Sequence, residues 1–199
     1  MSARPAFTAV VLDGGRGRRM GGLDKPGLEI GGRSLRAGVV ASVRDADRVV
    51  LVGPDTPEDV ALGVTRVQEQ PPLGGPLAAL AAAVPLVPTD VMLVLAGDLV
   101  GAEPLPAALL DALEAHPSAE AVVAVDSGGR RQWLASAYRT ASVRAALASL
   151  TGIDGVTDQR FSDLVDLLAV VDVPLATVRD VDTPEDLARE RAAHPDVED

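Results

Sequence analysis

The residues best suited to chemistry cluster near the start of the chain. The run Gly14-Gly15-Arg16-Gly17-Arg18-Arg19-Met20-Gly21-Gly22 follows the apolar stretch Phe7 to Leu12 and leads into Asp24-Lys25-Pro26. Glycines at this density let a backbone turn tightly, approach a ligand and aim N–H groups at anionic oxygens, above all those of phosphate. Lys25 is the single lysine among eighteen basic residues; the rest are arginine. Chance is one reading of that singularity. The other is that a compact ammonium and a planar guanidinium fork differ in kind at a phosphate, so the position demands the former. A third group is Asp98, which ends the apolar run Leu93-Val-Leu-Ala after Gly97. A carboxylate at the end of a buried strand suits a hard cation bridging phosphates, and it equally suits the capping of a turn.

Two familiar glycine loops do not fit. A dinucleotide fingerprint begun at Gly15 meets Met20 where its third glycine should allow close helix–strand contact. A Walker A loop begun at Gly17 reaches Gly22, but Leu23 follows in place of lysine. His116 and His194 stand near a helix end and in the tail and read as surface histidines, and Ser34, Ser136 and Ser142 lack a nucleophile-elbow setting.

The elements that must position these groups alternate. Short apolar, β-rich runs at Phe7 to Leu12, Arg48 to Val52, Val91 to Ala96 and Ala121 to Val125 predict strands. Between and after them Ser34 to Ala46, Pro76 to Val84, Pro106 to His116 and Thr140 to Leu150 predict helices, the first with a serine cap. Alternation of this kind predicts α/β architecture, a mainly parallel sheet in a three-layer α/β/α sandwich, and continuous apolar strands agree with burial on both faces. Ligands in such sheets lie beyond the carboxyl ends of the strands, which singles out the loops Asp13 to Asp24, Gln68 to Gly75 and Gly97 to Pro104. Beyond the turn Ser127 to Arg130, Gln132 to Tyr138 reads as a strand of a lid or second half. One domain over 1–193 is expected, with an acidic, frayed tail at 194–199.

The totals narrow the function. With 199 residues, 47% of them apolar, the chain can bury one core. A formal net charge of -11 repels polyanions, so no nucleic acid partner is expected. No apolar run approaches the ~20 residues of a membrane span. Cysteine is absent and the N-terminus carries no basic-plus-apolar leader, which points to a cytoplasmic protein without disulfides.

The pattern strand-Leu-x-Gly-Gly-x-Gly-x-Arg-Met-Gly-Gly-x-Asp-Lys-Pro closely resembles the signature of nucleotidyltransferases related to the molybdenum cofactor guanylyltransferases. Leu12, Gly14, Gly15, Gly17, Arg19, Met20, Gly21, Asp24 and Lys25 fall in register with it. Three later segments resemble that family in order: Gly74-Gly75-Pro76-Leu77-Ala78, Leu93 to Asp98, and Val178 to Leu187 with Thr183-Pro184-Glu185. The resemblance implies a Rossmann-like nucleotidyltransferase fold and transfer of a nucleoside monophosphate from a triphosphate to a phosphorylated acceptor such as molybdopterin. It implies that Leu12, Asp13, Gly14, Gly15 and Gly17 hold the nucleotide, with Gly75, Pro76 and Leu77 closing beneath it. Arg19 and Lys25 would neutralise charge. Asp98 would hold Mg2+, with Asp180 or Asp182 as a second metal-facing group. Thr183 and Pro184 also have a purely structural reading, as a helix cap and first helical residue.

Departures concern the base and acceptor. Gly14-Gly15 accompanies guanine in the family, which favours GTP, but Val52 stands where asparagine is common and Glu69 or Gln70 where an aspartate reads the base. Asp13 either hydrogen-bonds a nucleotide hydroxyl or shapes the turn. Gln132 matches the family near the acceptor; Trp133 does not, and it either stacks a planar acceptor or packs beneath a lid. Cytidylyl or sugar and polyol phosphate transfer, and a nucleotide-binding module without turnover, are the alternatives.

Overall fold

Valine- and leucine-rich runs with no polar face form strands that are buried on both sides. β1 (Phe7–Leu12) is buried at every residue, and β6 (Val91–Ala96) at all but its last. The computed structural model describes residues 5–14, 24–57, 62–151, 155–175, 179–181 and 183–193. Before β6 come the short β2 (Glu29–Ile30) and β3 (Arg33–Ser34), α1 (Leu35–Ser42), β4 (Arg48–Val52), β5 (Thr65–Val67) and α2 (Pro76–Ala83). After it come β7 (Leu99–Val100), α3 (Leu105–Ala115), β8 (Ala121–Val125), β9 (Arg131–Arg139), α4 (Thr140–Leu150), α5 (Phe161–Val165), β10 (Val170–Pro174), β11 (Arg179–Asp180) and α6 (Pro184–Ala193).

Seven strands form one sheet in the order β10-β8-β9-β6-β1-β4-β5. All neighbours are parallel except β9, which runs antiparallel to both β6 and β8. Strand alternation sends Ala9 and Val11, Leu51, Leu93 and Leu95 to one face, where they meet Val39 of α1 and Leu105 and Leu109 of α3. Val10, Val50, Met92 and Val94 go to the other, against Leu77 and Leu80 of α2, Val143 of α4 and Leu164 of α5. The expected three-layer α/β/α sandwich with a mainly parallel sheet is therefore observed, and no helix among the described residues is long and apolar enough to cross a membrane.

Local signals act as the sequence suggests at several ends. Ser34 caps α1 by accepting from the Ala37 N–H at 3.1 Å. Thr183 Oγ1 accepts from the Asp186 N–H at 3.1 Å while Asp186 Oδ2 accepts from the Thr183 N–H at 3.0 Å, a reciprocal cap with Pro184 opening α6. Helix α1 stops at Ser42, short of the expected Ala46, where a tight turn leads through the exposed Arg44 and Asp45 to β4.

The region after Ser127 differs from expectation. Gln132 to Tyr138 is no lid: β9 lies inside the main sheet, with Ala135, Ser136, Ala137 and Tyr138 all buried between β6 and β8. Small and apolar side chains on both faces of its second half let it fill a central place. Its pairing with β8 jumps from Val123↔Ser136 to Ala124↔Gln132, so Trp133, Leu134 and Ala135 are skipped in that ladder, held where the Ser136 hydroxyl donates to the Trp133 carbonyl at 2.9 Å. The expected tail at 194–199 lies outside the described residues.

Candidate active site

Sheet register brings three loops level. Leu12 lies opposite both Val52 and Ala96, so β1, β4 and β6 end together. The ladder continues one step further: the Asp13 N–H donates to the Val52 carbonyl at 2.8 Å, and the Gly97 N–H to the Leu12 carbonyl at 3.0 Å. Gly53 sits at φ 154°, and a Cβ there would stand 2.7 Å from the Asp13 carbonyl oxygen, so no larger residue fits without moving the β1 loop. A Cβ on Gly97 would lie 3.1 Å from Asp13 Oδ1. The loop after β6 thus rests directly on the one after β1.

Asp98 follows at the mouth of a cleft of about 990 Å³. Lys25 Nζ stands 3.9 Å from Asp98 Oδ2, and both side chains are only partly covered, 14% and 22% exposed. The two groups singled out by sequence, 73 positions apart, therefore meet on one wall. Lys25 reaches it from a turn in which its carbonyl accepts from the Leu28 N–H, while the Pro26 carbonyl accepts from the Arg36 N–H at 2.8 Å, docking the turn on α1. Leu12, Asp13, Gly14, Lys25, Pro76 and Asp98 all line the cleft, with Trp133 and Gln132 across it. Gln132 is oriented by donating to Asp126 Oδ2 at 2.6 Å. Backbone N–H groups of Arg130 and Gly128, with Gln132, hold the Asp126 carboxyl below its ordinary range. Trp133 packs on the second core face and also lines the cleft, with the Arg131 guanidinium 5.7 Å from its ring centroid.

Several expected residues have other work. The Asp13 carboxylate is turned into the protein, where Arg36 Nε lies 2.7 Å from each oxygen and Arg66 Nη1 lies 2.9 Å from Oδ2. Its side chain is completely buried, which leaves the Asp13 backbone, and not its carboxylate, for a ligand. Burial pushes this carboxyl above its ordinary 3.8, and the two guanidiniums pull against that. Glu69 is buried, and its Oε1 accepts from the Leu73 N–H at 2.8 Å, so it shapes the turn before α2 and does not line the cleft. Leu77 is wholly buried in the core and Gly75 precedes α2 as its cap; of Gly75, Pro76 and Leu77, it is Pro76 that lines the cleft, beside Leu73.

Gly15, Gly17, Arg19 and Asp182 lie outside the described residues, as does the Asp180 side chain. The Asp180 backbone pairs with Leu99, the residue after Asp98, which brings β11 to the rim. No group of three or more metal-ligating side chains occurs among the described residues. Mg2+ needs none, since it is held by one or two carboxylates together with substrate phosphates, and Asp98 on the cleft wall fits that donor set.

Sequence reasoning missed Arg36 and Arg66, and it placed Asp24 in the motif without giving it a role. One signal was available: Arg36 stands between Leu35 and the Val39-Val40 pair, on the side of α1 that faces the core. A charge on an apolar helix stripe requires a buried partner, and Asp13 is the acid nearest to it beyond a strand end.

The match to the family model described as the MobA-like NTP transferase domain spans residues 9–165, most of the chain. The chain belongs to that family. It is an enzyme of the nucleotidyltransferase type. A molybdenum cofactor guanylyltransferase from Rhodopseudomonas palustris (strain BisB5) is 60% identical over 40 residues; the aligned stretch spans 20% of this chain and 19% of that relative. The fold is shared with the molybdopterin-guanine dinucleotide biosynthesis protein A of Archaeoglobus fulgidus, at 20% identity and a TM-score of 0.69, covering 94% of this chain and 97% of that one. It is shared equally with the 2-C-methyl-D-erythritol 4-phosphate cytidylyltransferase of Thermus thermophilus, at 22% identity and a TM-score of 0.69, covering 95% and 98%. Likeness at this identity establishes the fold that these MobA-like enzymes share with other nucleotidyltransferases.

Proposed function

We propose that this MobA-like enzyme transfers a nucleoside monophosphate from GTP to a phosphorylated acceptor, molybdopterin, in a magnesium-dependent cytoplasmic reaction of molybdenum cofactor biosynthesis. The observation that carries the reading is the approach of Lys25 to Asp98, 3.9 Å apart, on the wall of a cleft at the carboxyl ends of β1, β4 and β6. The short, strong likeness to the Rhodopseudomonas guanylyltransferase and the Gly14-Gly15 pair support GTP and molybdopterin over other substrates.

In this reading an acceptor phosphate oxygen attacks the α-phosphorus in line, the bond to the β-phosphate oxygen breaks, and pyrophosphate leaves with that electron pair. No protein nucleophile is required. The backbone of Asp13 and Gly14 holds the triphosphate, with Gly15 and Gly17 continuing the cradle. Lys25 offsets charge that grows between the α- and β-phosphates, and Arg19 acts with it. Asp98 holds the cation, joined by Asp180 or Asp182. Bound there, Mg2+ would neutralise phosphate oxygens and align the attacking and leaving groups. The wall formed by Gln132 and Trp133 faces the acceptor.

The test is pyrophosphate release by the purified protein with Mg2+, each of GTP, CTP, ATP and UTP, and a molybdopterin-loaded carrier. Turnover with GTP and molybdopterin is expected. Turnover only with CTP, or only with a sugar or polyol phosphate, would replace the substrates within the same reaction class. Triphosphate binding without release from any acceptor would leave a nucleotide-binding module.

A further inference from the structure

The glycine-rich run is bracketed by two aspartates, Asp13 and Asp24, and one side chain joins them. Arg36 Nε lies 2.7 Å from both Asp13 oxygens, while its Nη2 reaches Asp24 at 3.1 and 3.3 Å. The guanidinium is thus used as a bridge, its inner nitrogen on one carboxylate and an outer one on the other. A lysine, being a point charge, cannot span the two. The side chain is 3% exposed and rises from the core-facing side of α1, where a leucine would be buried at lower cost.

We infer that Arg36 is a positioning residue, clasping the two ends of the glycine-rich run and thereby setting where Lys25 stands relative to Asp98. Lys25 follows Asp24 directly in the chain, and the Pro26 carbonyl is itself bound to the Arg36 backbone N–H. On the other side of the clasp, Asp13 supports Gly97, the residue before Asp98. One guanidinium therefore ties together the supports of both groups that face the triphosphate. Arg66 extends the tie: its Nη1 holds Asp13 at 2.9 Å while its Nη2 reaches Thr56 Oγ1 at 3.4 Å, on the cleft wall formed after β4.

The catalytic consequence rests on the reading given under Proposed function, but the clasp can be tested apart from it. Asp24 is 61% exposed, so Asp24→Asn removes one arm without disturbing the core. Three variants, Asp24→Asn, Asp24→Glu and Arg36→Lys, are compared with the wild type and with the Asp24→Asn/Arg36→Lys double variant. In ligand-free protein, Asp24→Asn should leave the melting temperature unchanged yet speed hydrogen exchange at the Leu28 amide, which donates to the Lys25 carbonyl. It should weaken equilibrium binding of magnesium GTP about tenfold and raise KM similarly, the scale expected when a binding group is displaced without being removed. Asp24→Glu should recover much of the loss. The double variant should bind no worse than Arg36→Lys alone, because both break the same bridge.

Unchanged affinity in Asp24→Asn, or losses that add in the double variant, would overturn the clasp, since Asp24 would then act independently or not at all. If Arg36→Lys does not fold, the Asp24→Asn and Asp24→Glu pair decides. If the wild type binds none of the four triphosphates, the proposed function falls and hydrogen exchange alone decides: faster exchange upholds the clasp, equal exchange overturns it.

Discussion

Replacing Lys25 by alanine separates binding-site chemistry from fold stability, because the structure assigns the side chain little of the latter. At 3.9 Å from Asp98, two unit charges attract by about 4 kcal/mol at an effective dielectric of about 20. Both ends are partly solvated, and much of that attraction repeats what water supplies, so the net loss to folding should stay below about 1 kcal/mol. For a chain of this size that is a fall of no more than about 4 °C in melting temperature. In the transition state the same ammonium would face a developing pyrophosphate charge inside the cleft. Losing one such donor typically costs about 3–4 kcal/mol, or about a hundredfold to a thousandfold in turnover. Pyrophosphate release, followed by a coupled phosphate assay with Mg2+ and GTP, should therefore drop by at least about a hundredfold, while thermal unfolding barely moves. Lys25→Arg should not restore it, because a planar fork cannot take the place of a compact charge. Normal turnover in Lys25→Ala would remove this residue from the site, and with it the premise that the lone lysine marks the triphosphate.

Asp98→Asn should lower turnover about a hundredfold at saturating GTP and shift the Mg2+ dependence to higher concentration, measured by metal titration of pyrophosphate release. Gly53→Ala places a Cβ 2.7 Å from the Asp13 carbonyl oxygen and should destabilise by about 2 kcal/mol or more in denaturant unfolding. Arg66→Met leaves the buried Asp13 carboxylate with one guanidinium fewer and should cost about 3 kcal/mol in the same measurement, whereas Asp13→Asn combined with Arg66→Met should cost less than the sum. The Glu120 carboxyl is held below its ordinary 4.5 by the Ala169 N–H and the Ser142 hydroxyl, so the stability it adds is present above about pH 4.5 and is lost as pH falls through its lowered value. Glu120→Gln should accordingly flatten the acid limb of the stability profile and leave neutral activity intact.

What could be read in the sequence was whatever is decided by near neighbours. β1, β4, β6 and β8 appear at their expected bounds because each is an apolar run stopped by turn residues, and α4 begins and ends where its pattern does. Ser34 and Thr183 cap their helices through contacts three residues away. Lys25 and Asp98, singled out by rarity and by position at a strand end, come within 3.9 Å of each other. The reading failed where the partner lies far along the chain. Asp13 was open to a ligand-facing role or a turn-shaping one, and only the placing of α1 on the sheet and of β5 beyond β4 reveals Arg36 and Arg66 as its partners. Glu69, or Gln70, stands where the family carries a base-reading aspartate, but a sequence displays acidity and not orientation, and a partner only four residues on, the Leu73 N–H, claims the Glu69 side chain. Gln132 to Tyr138 reads as a strand of a lid or second half because the hydrophilic Arg131 and Gln132 at the start of β9 hide a later stretch that is buried on both faces.

Burial sorts the charges of this site into two kinds with different physical duties. Asp13, Arg36 and Arg66 have side chains between 0% and 7% exposed, and their mutual hydrogen bonds tie the end of β1 to α1 and to β5. Charges in that setting are costly to desolvate and costly to separate, so they hold geometry and do not exchange partners readily. Lys25 and Asp98 are 14% and 22% exposed and stand 3.9 Å apart. On the reading proposed above, a bound triphosphate would draw the ammonium to a phosphate and its cation would draw the carboxylate. A protein of net charge -11 must concentrate positive potential locally to admit a polyanion, and on the reading proposed above the buried arginines would serve orientation while the ammonium stands at the wall of the cleft.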